Sequence, residues 1–138
     1  YVYILLKLIY HIKMVELELH AKNISETLLK DLIKVNQGDT SIKFFRHDLV
    51  TMIIWLYIMN AFANKRKINI EDIARGIAEG SRISKPSLRL ILENAKIKGF
   101  IKFTHSAEDS RSWIIEPENI AVEEFNAWAN RIGTLAIE

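Results

Sequence analysis

The segment SKPSLRLILENAKIKGFI, residues 84–101, predicts a helix that buries one face and then leads into a strand. Ser84 suits the N-cap of a helix, and Pro86 falls in the first turn, where its missing N–H costs little. The apolar positions that share one sector of this helix are Leu88, Ile91, Leu92 and Ala95. Gly99 stops the helix ahead of an apolar run. We therefore predict a helix over residues 84–98 with a polar face opposite its core face.

The segments on either side of this helix predict a helix-turn-helix with a wing. Upstream, INIEDIARGIAEG predicts a helix capped by Asn69 and ended by Gly80, and only SRIS lies between the two helices. Downstream, FIKFT and SWIIE are typical of strands, and the polar HSAEDSR between them predicts a hairpin with a long charged tip. Two helices joined by a tight turn and followed by a β-hairpin indicate a winged helix-turn-helix.

The chain before this unit predicts two more helices. NISETLLKDLIKV predicts one over residues 22–36, with Asn23 or Ser25 as its N-cap. Residues 43–63 predict a long helix that is apolar nearly all round in its second half, which indicates a place at the centre of the domain. The apolar opening YVYILLKLIYHIKM is interrupted by lysines and lacks a small-residue cleavage site. It therefore predicts a buried or dimer-forming segment rather than a membrane span or a signal peptide.

After the hairpin, Pro117 opens a last helix over residues 117–134. Its inward-facing residues are predicted to be Ile120, Phe125 and Trp128. The predicted fold class is mainly α with a small β-hairpin wing, a winged helix-turn-helix flanked by N- and C-terminal helices. All 138 residues are predicted to form a single winged-helix domain. Its predicted parts are N-terminal dimerisation helices in residues 1–42, the winged helix-turn-helix core in 43–116 and a C-terminal helix in 117–138.

Composition and motifs narrow the classes of function. Hydrophobic residues make up 49% of the chain and charged residues 26%, which are ordinary globular values. The absence of cysteine excludes disulfides, thiolate metal sites and cysteine nucleophiles, and it fits a reducing cytosol. The four histidines are scattered, and the chain has no P-loop, GxSxG or GxGxxG motif. We therefore expect no metal, no cofactor and no enzyme activity.

The net charge of +2 is small, but the charge is unevenly distributed along the chain. Ten lysines and arginines against six acidic residues give +4 over residues 1–68, and eight against six give +2 over 69–111. One arginine against five glutamates gives −4 over residues 112–138. An anionic partner is therefore expected to contact the first two segments and not the last.

Residues 45–116 resemble the MarR (multiple antibiotic resistance regulator) type of winged-helix proteins. The resemblance rests on IEDIARGI and SKPSLRLILENAKIKGFI followed by a wing that contains EDSR. In that family the second helix opens with Ser and ends at a glycine, here Gly99, and the wing carries an Asp-x-Arg pair, here Asp109 and Arg111. The sequence departs from the family at Leu90, where the family commonly has a polar or basic residue.

The resemblance implies a cytoplasmic transcriptional regulator with no membrane partner. Such a protein is expected to be a homodimer that binds a pseudo-palindromic site in double-stranded DNA and is often released by a small-molecule effector. It would insert helix 84–98 in the major groove and turn the wing, residues 104–112, toward the minor groove. The helices over 22–36 and 117–134, with residues 1–13 as a further candidate, would form the dimer interface.

Eight residues are candidates for contacts with DNA, four in the helix and four in the wing. They are Ser84, Lys85, Ser87, Arg89, Lys102, His105, Asp109 and Arg111. Ser84, Lys85 and Ser87 can reach phosphates, while Arg89 can bind a guanine edge. Arg111 is expected in a narrow minor groove, with Asp109 to orient it. For each residue the alternative is an ordinary solvated polar surface.

Leu90 favours a rival hypothesis, a winged-helix module for protein–protein interaction or assembly without sequence-specific DNA binding. Its side chain could contact a thymine methyl, form a protein-binding patch with Ile97, or pack under the wing, and packing is the preferred interpretation. A third hypothesis comes from FRHDLVT, residues 45–51, which resembles the phosphoacceptor box of sensor histidine kinases around His47. Because 138 residues leave no room for a nucleotide-binding domain beside the winged helix, the preferred role of His47 is that of a polar residue at a helix edge or at the rim of a ligand pocket.

Three aromatic residues are candidates for the lining of an effector cavity between the dimer helices and the winged helix. They are Trp55, Tyr57 and Trp128. Aromatic residues at helical spacing are more often part of the core, and that is the preferred interpretation here.

Overall fold

The computed structural model describes residues 1–33, 40–108 and 112–137, with side chains described as far as residue 133. The elements in chain order are α1 (Val2–Ile33), α2 (Thr40–Phe45), α3 (Leu49–Ala63), α4 (Ile70–Gly76), α5 (Lys85–Ile97), β1 (Ile101–His105), β2 (Trp113–Pro117) and α6 (Asn119–Ile137). This architecture confirms the predicted fold class. The chain divides into two compact units, Tyr1–Asn36 with Trp128–Glu138, and Gln37–Ala127. That all residues form one domain stays a prediction.

The core of the second unit is built around α3. This helix buries Ile54, Trp55 and Ile58 almost completely, and the ring of Phe45 from α2 stacks on Trp55 at 5.4 Å between centroids. The core interpretation of Trp55 is thereby confirmed. The large apolar side chains of α2 and α3 are closely packed here and form the core of the unit.

The prediction of one long helix over residues 43–63 is wrong, because the helix is interrupted between α2 and α3. Asp48 has an extended backbone and is the N-cap of α3, where its carboxylate accepts a hydrogen bond from the Thr51 N–H at 2.7 Å. Aspartate is more favourable at the N-cap of a helix, where it accepts such a bond, than in the interior of a helix. The apolar periodicity on both sides conceals this local cap.

The two helices of the helix-turn-helix begin where the local signals predict, but the predicted end of the first helix at Gly80 is wrong, because α4 ends at Gly76 and residues 77–80 form a turn. Asn69 and Asp72 make a reciprocal capping box at the start of α4. The helix predicted over 84–98 is observed as α5 with Ser84 as its N-cap, and Gly99 ends it with a φ of +80°, a conformation that favours glycine. The starts of both helices and the end of α5 are thus fixed by side chains and a backbone conformation that are visible in the sequence.

The wing is an antiparallel hairpin of β1 and β2 in which Phe103 lies opposite Ile115 and His105 opposite Trp113. The hairpin is joined to the chain before α4 by a hydrogen bond from the Ile115 N–H to the Ile68 carbonyl at 2.9 Å. Burial of Ile115 and its neighbour Ile114 attaches the base of the hairpin to the core. The wing is therefore held at its base.

Within the second unit, α6 is attached to the start of α2 by a buried glutamate. The Glu124 carboxylate accepts hydrogen bonds from the Ser41 N–H at 3.2 Å and from the Thr40 hydroxyl at 3.3 Å. The inward stripe of α6 here contains Ala121, Glu124 and the half-buried Phe125. The prediction that Pro117 opens the last helix is wrong, because Pro117 ends β2 and α6 begins at Asn119. The predicted inward orientation of Ile120 is also wrong, since its side chain is 48% exposed. It lies one position, about 100°, from the stripe that Ala121 begins.

In the first unit, α1 is one continuous helix of 32 residues, none of them buried. The predicted helix start at Asn23 or Ser25 is wrong, because the Ser25 hydroxyl donates to the Lys22 carbonyl within the helix at 3.1 Å. Near its end, Asp31 accepts a hydrogen bond from Trp128 Nε1 at 2.7 Å. Across the described ranges, no helix combines the length and apolarity that crossing a bilayer requires.

Candidate nucleic-acid interface

The orientation of α5 is set by three buried side chains, and a row of positive charge lies along the adjacent side, about 70° around the helix from the centre of the buried face. Leu88, Leu92 and Ala95 are fully buried. We define the positive flank as the three cations Lys85, Arg89 and Lys96. They occupy positions i, i+4 and i+11 and fall within about 40° of one another around the helix. All three are exposed. The flank is thus a row of positive charge along α5.

The positive flank is bounded by α4 at one end and by the wing at the other. The Lys85 ammonium lies 2.9 Å from the Glu71 carboxylate of α4. The Lys96 ammonium lies 5.0 Å from the centre of the Phe103 ring in β1. Because the Lys85–Glu71 pair is largely exposed, it is worth little energy and leaves Lys85 accessible to another anion. Arg89 lies between these two ends.

Ser84 and Ser87 have different roles at the start of α5, because Ser84 caps the helix and the Ser87 hydroxyl is exposed. The Ser84 hydroxyl oxygen accepts from the Ser87 N–H at 3.3 Å, and its proton is donated to the Ser87 hydroxyl at 2.8 Å. Ser84 therefore stabilises the start of α5. The Ser87 hydroxyl is exposed and still has its own proton to donate, so it is the better placed of the two to bind an outside oxygen.

The wing face that carries Phe103 also carries an aromatic pair that the sequence analysis missed. The His105 imidazole stacks on the Trp113 indole at 3.7 Å between centroids, and the Phe103 ring lies 6.4 Å from Trp113. Side chains alternate along a strand, so Phe103 and His105 share a face, the face that Lys96 contacts. Closing the hairpin symmetrically around its polar tip, residues 105–111, would place His105 opposite Arg111, so the observed pairing with Trp113, two residues further on, could not be predicted in that way.

The other wing candidates are placed differently or lie outside the described residues. Lys102 is on the opposite face of β1 from His105, with its ammonium 4.0 Å from the Glu116 carboxylate. Asp109 and Arg111 lie outside the described residues. The structure therefore brings His105 to the side of the positive flank and places Lys102 away from it, and contacts of all eight candidates with DNA stay predictions.

Leu90 does not pack under the wing, and that interpretation is wrong. Its side chain is 62% exposed, and that of Ile97 is 81% exposed. The wing packs against the side of α5 that carries Lys96. Leu90 is six residues before Lys96, about 120° away around the helix, so the hairpin does not cover it.

The motif around His47 places its imidazole beside the Asp48 carboxylate, between α2 and α3. The imidazole Nδ1 lies 2.9 Å from the Asp48 carboxylate, and both side chains are largely exposed. Chiefly because it accepts the Thr51 N–H, the pKa of Asp48 lies below its ordinary value, and the neighbouring His47 also lowers it. The polar role at a helix edge that was preferred for His47 fits these contacts.

An open apolar groove of about 630 Å³ runs between α3 and α4. It is lined mainly by Ile53, Leu56, Tyr57, Met59, Ile77 and Phe125. The Tyr57 ring lies directly against Gly76, where a Cβ would come within 2.2 Å of it, and the Arg66 guanidinium lies 5.4 Å from the ring centre. Tyr57 therefore lines the groove rather than the core. Among the described residues, no three histidines or acids converge as a metal site would require.

The sequence of this chain has no match among the family models and curated proteins, whereas its fold matches several solved structures. The structure is similar to S. aureus MepR bound to ethidium bromide, with a TM-score of 0.54, 14% identity and coverage of 92% of this chain and 76% of that one. It is also similar to the S. aureus MepR–DNA complex, with a TM-score of 0.51, 14% identity and coverage of 99% and 80%. The chain therefore has the MarR-type winged-helix fold.

Proposed function

We propose that this protein is a DNA-binding transcriptional regulator that acts as a homodimer in the cytoplasm, and not an enzyme. The observation that carries the proposal is the positive flank of α5, exposed beside the wing in a winged-helix fold. The fold itself is that of MepR, which has been solved in complex with DNA. In a helix-turn-helix protein the second helix enters the major groove with its N-terminal half, and that half contains two of the three cations of the flank.

The proposed contacts divide between positioning and base recognition. Lys85 and the exposed Ser87 hydroxyl would bind phosphates, and Arg89 would reach a guanine edge in the major groove. His105 would add a phosphate contact from the face of the wing that Lys96 contacts. Arg111, oriented by Asp109, would enter the minor groove, and Lys102 would approach the backbone from the other face of the hairpin.

The exposed apolar surface of α1 supports the homodimer. The helix spans about 48 Å at 1.5 Å per residue, and apolar side chains along it, including Leu5, Leu17 and Leu32, are more than half exposed. An apolar surface of this extent is typical of a protein–protein interface. A second copy of α1 supplies the matching surface, and a symmetric dimer explains why such proteins bind pseudo-palindromic DNA.

A small-molecule effector is the second partner that we propose. The groove beside Tyr57 is apolar, open and close to α4, the first helix of the DNA-binding motif. MepR, which has the same fold, has been solved with ethidium bromide bound. A ligand in the groove would contact both α3 and α4, so it could change the position of the helix-turn-helix relative to its support.

The proposal is tested by the binding of mixed-sequence duplex DNA across a series of salt concentrations. Each phosphate that the protein neutralises adds about 0.9 to the slope of log affinity against log salt. Because Lys85 is the cation that we assign to a phosphate, we expect Lys85→Ala to weaken binding and to flatten this slope by about 0.9. The matched control is Lys43→Ala, which removes another exposed cation from α2, where we place no DNA contact.

A result in which no DNA binds at low salt would contradict the proposal and favour the protein-interaction module. Equal effects of Lys85→Ala and Lys43→Ala would also contradict it, because they would indicate a general charge effect rather than a DNA-binding face. Sedimentation of the wild-type protein tests the dimer separately. A monomer at the concentrations used for DNA binding would refute that part alone.

A further inference from the structure

Leu90 occupies the position on α5 that points directly away from the core. It lies two residues from each of the buried side chains Leu88 and Leu92, a rotation of about 200° around the helix. Its side chain is 62% exposed. If α5 enters the major groove as proposed above, Leu90 is among the side chains that face the bases rather than the phosphates.

The surroundings of Leu90 favour DNA over a protein partner. Its neighbours one helical turn away are Pro86 and the polar residues Ser87, Glu93 and Asn94. The cationic Arg89 precedes it. The other exposed apolar side chain on this side is Ile97, seven residues or about 10 Å further along the helix axis. A protein-binding patch is usually a contiguous apolar area of several hundred Å². A single leucine between polar and cationic residues does not form one.

We propose that Leu90 is a specificity-determining residue that recognises thymine by its 5-methyl group, an inference that rests on the proposed DNA binding. Thymine is the only one of the four bases that presents a methyl group in the major groove. A leucine side chain has no hydrogen-bonding atom, so a donor or acceptor of another base placed against it would lose water without compensation. Leu90 therefore favours thymine and disfavours the other three bases at one position of each half-site.

The size of the effect follows from the burial of one methyl group. Removing a methyl from water is worth about 0.8 kcal/mol, which corresponds to about a fourfold change in affinity. Deoxyuridine differs from thymidine only by this methyl. Replacing the thymine that Leu90 contacts by uracil should therefore weaken binding about fourfold per half-site.

The experiment uses a duplex selected by the wild-type protein from a random-sequence pool. Each thymine of that duplex is replaced in turn by deoxyuridine, and affinities are measured for the wild type, Leu90→Ala and Ile97→Ala. We expect one position per half-site where the affinity of the wild type and of Ile97→Ala falls about fourfold and that of Leu90→Ala does not change. Ile97 is the matched control because it is equally apolar and even more exposed. Circular dichroism checks that both variants are folded.

The outcomes separate this inference from the function on which it rests. If the wild type binds the duplex and no uracil substitution matters, Leu90 does not contact a thymine methyl. The same conclusion follows if Leu90→Ala remains as sensitive to the uracil as the wild type, or if selection returns no preferred sequence although DNA binds. If the wild type binds no duplex DNA at all, the proposed function itself fails.

Discussion

Replacing Glu124 should destabilise the second unit, mainly because a buried backbone N–H loses its hydrogen-bond acceptor. Its carboxylate accepts from the Ser41 N–H in a buried environment at 3.2 Å and from the Thr40 hydroxyl at 3.3 Å. In Glu124→Ala the buried N–H is left without its acceptor, which costs about 1–3 kcal/mol. Removal of the bond to the partly exposed Thr40 hydroxyl adds about 0.5–1 kcal/mol. We therefore expect a total decrease of about 1.5–4 kcal/mol in the free energy of unfolding.

Two companion variants make this prediction specific to the hydrogen bonds. Glu124→Gln keeps a carbonyl oxygen that can accept from Ser41, so it should cost clearly less than Glu124→Ala. Thr40→Ala should cost about 0.5–1 kcal/mol in the wild-type background. It should cost nearly nothing once Glu124 is alanine, because the effects of substituting two residues in contact are not additive.

The assay is urea unfolding followed by circular dichroism, with the slope of free energy against urea checked for constancy between variants. A decrease below about 0.5 kcal/mol for Glu124→Ala, the range of ordinary surface substitutions, would refute the reasoning. Equal decreases for Glu124→Gln and Glu124→Ala would show that the side-chain volume of Glu124 matters and its acceptor does not.

Three further predictions concern local features. Because the pKa of Asp48 is lowered in the folded protein, its contribution to stability is present above its unfolded-state pKa of about 3.9 and is lost as the pH falls through the lower folded value. In acid titrations, the free energy of unfolding of Asp48→Asn should therefore fall less steeply than that of the wild type. An unchanged profile would contradict this. Ser84→Ala should cost about 1 kcal/mol in urea unfolding through loss of the cap, whereas Ser84→Asp, which can also cap, should not, and equal costs in the two variants would argue against the capping role. Gly99→Ala should cost about 1 kcal/mol in thermal unfolding because φ is +80° there, and a neutral result would oppose that assignment.

Much of the winged helix could be predicted because its signals are local. Asn69, Ser84 and Gly99 fix three helix ends through their own side chains or backbone freedom, and the apolar positions of α5 repeat at 3.6 residues. These features depend on neighbours within four residues. The sequence therefore specified α4, α5 and the hairpin to within a few residues.

The errors arose where a contact distant in sequence or a competing local signal decides the structure. The break at Asp48 is hidden by apolar residues on both sides, and Ile120 is turned outward by the bond between Glu124 and Ser41, which are 83 residues apart. The exposure of Leu90 depends on which side of α5 the wing packs against. Helical periodicity alone does not contain that information.

The measurement that most directly tests whether α5 contacts DNA uses the absence of cysteine from the chain. A Ser87→Cys variant carries one thiol, which can be labelled with a photoactivated crosslinker and irradiated in the presence of duplex DNA. The matched control, Lys43→Cys, places the same label on α2. We predict that the label at residue 87 crosslinks to DNA and the label at residue 43 does not. Equal crosslinking at both positions, or none from residue 87 under conditions where DNA is bound, would contradict the proposed role of α5.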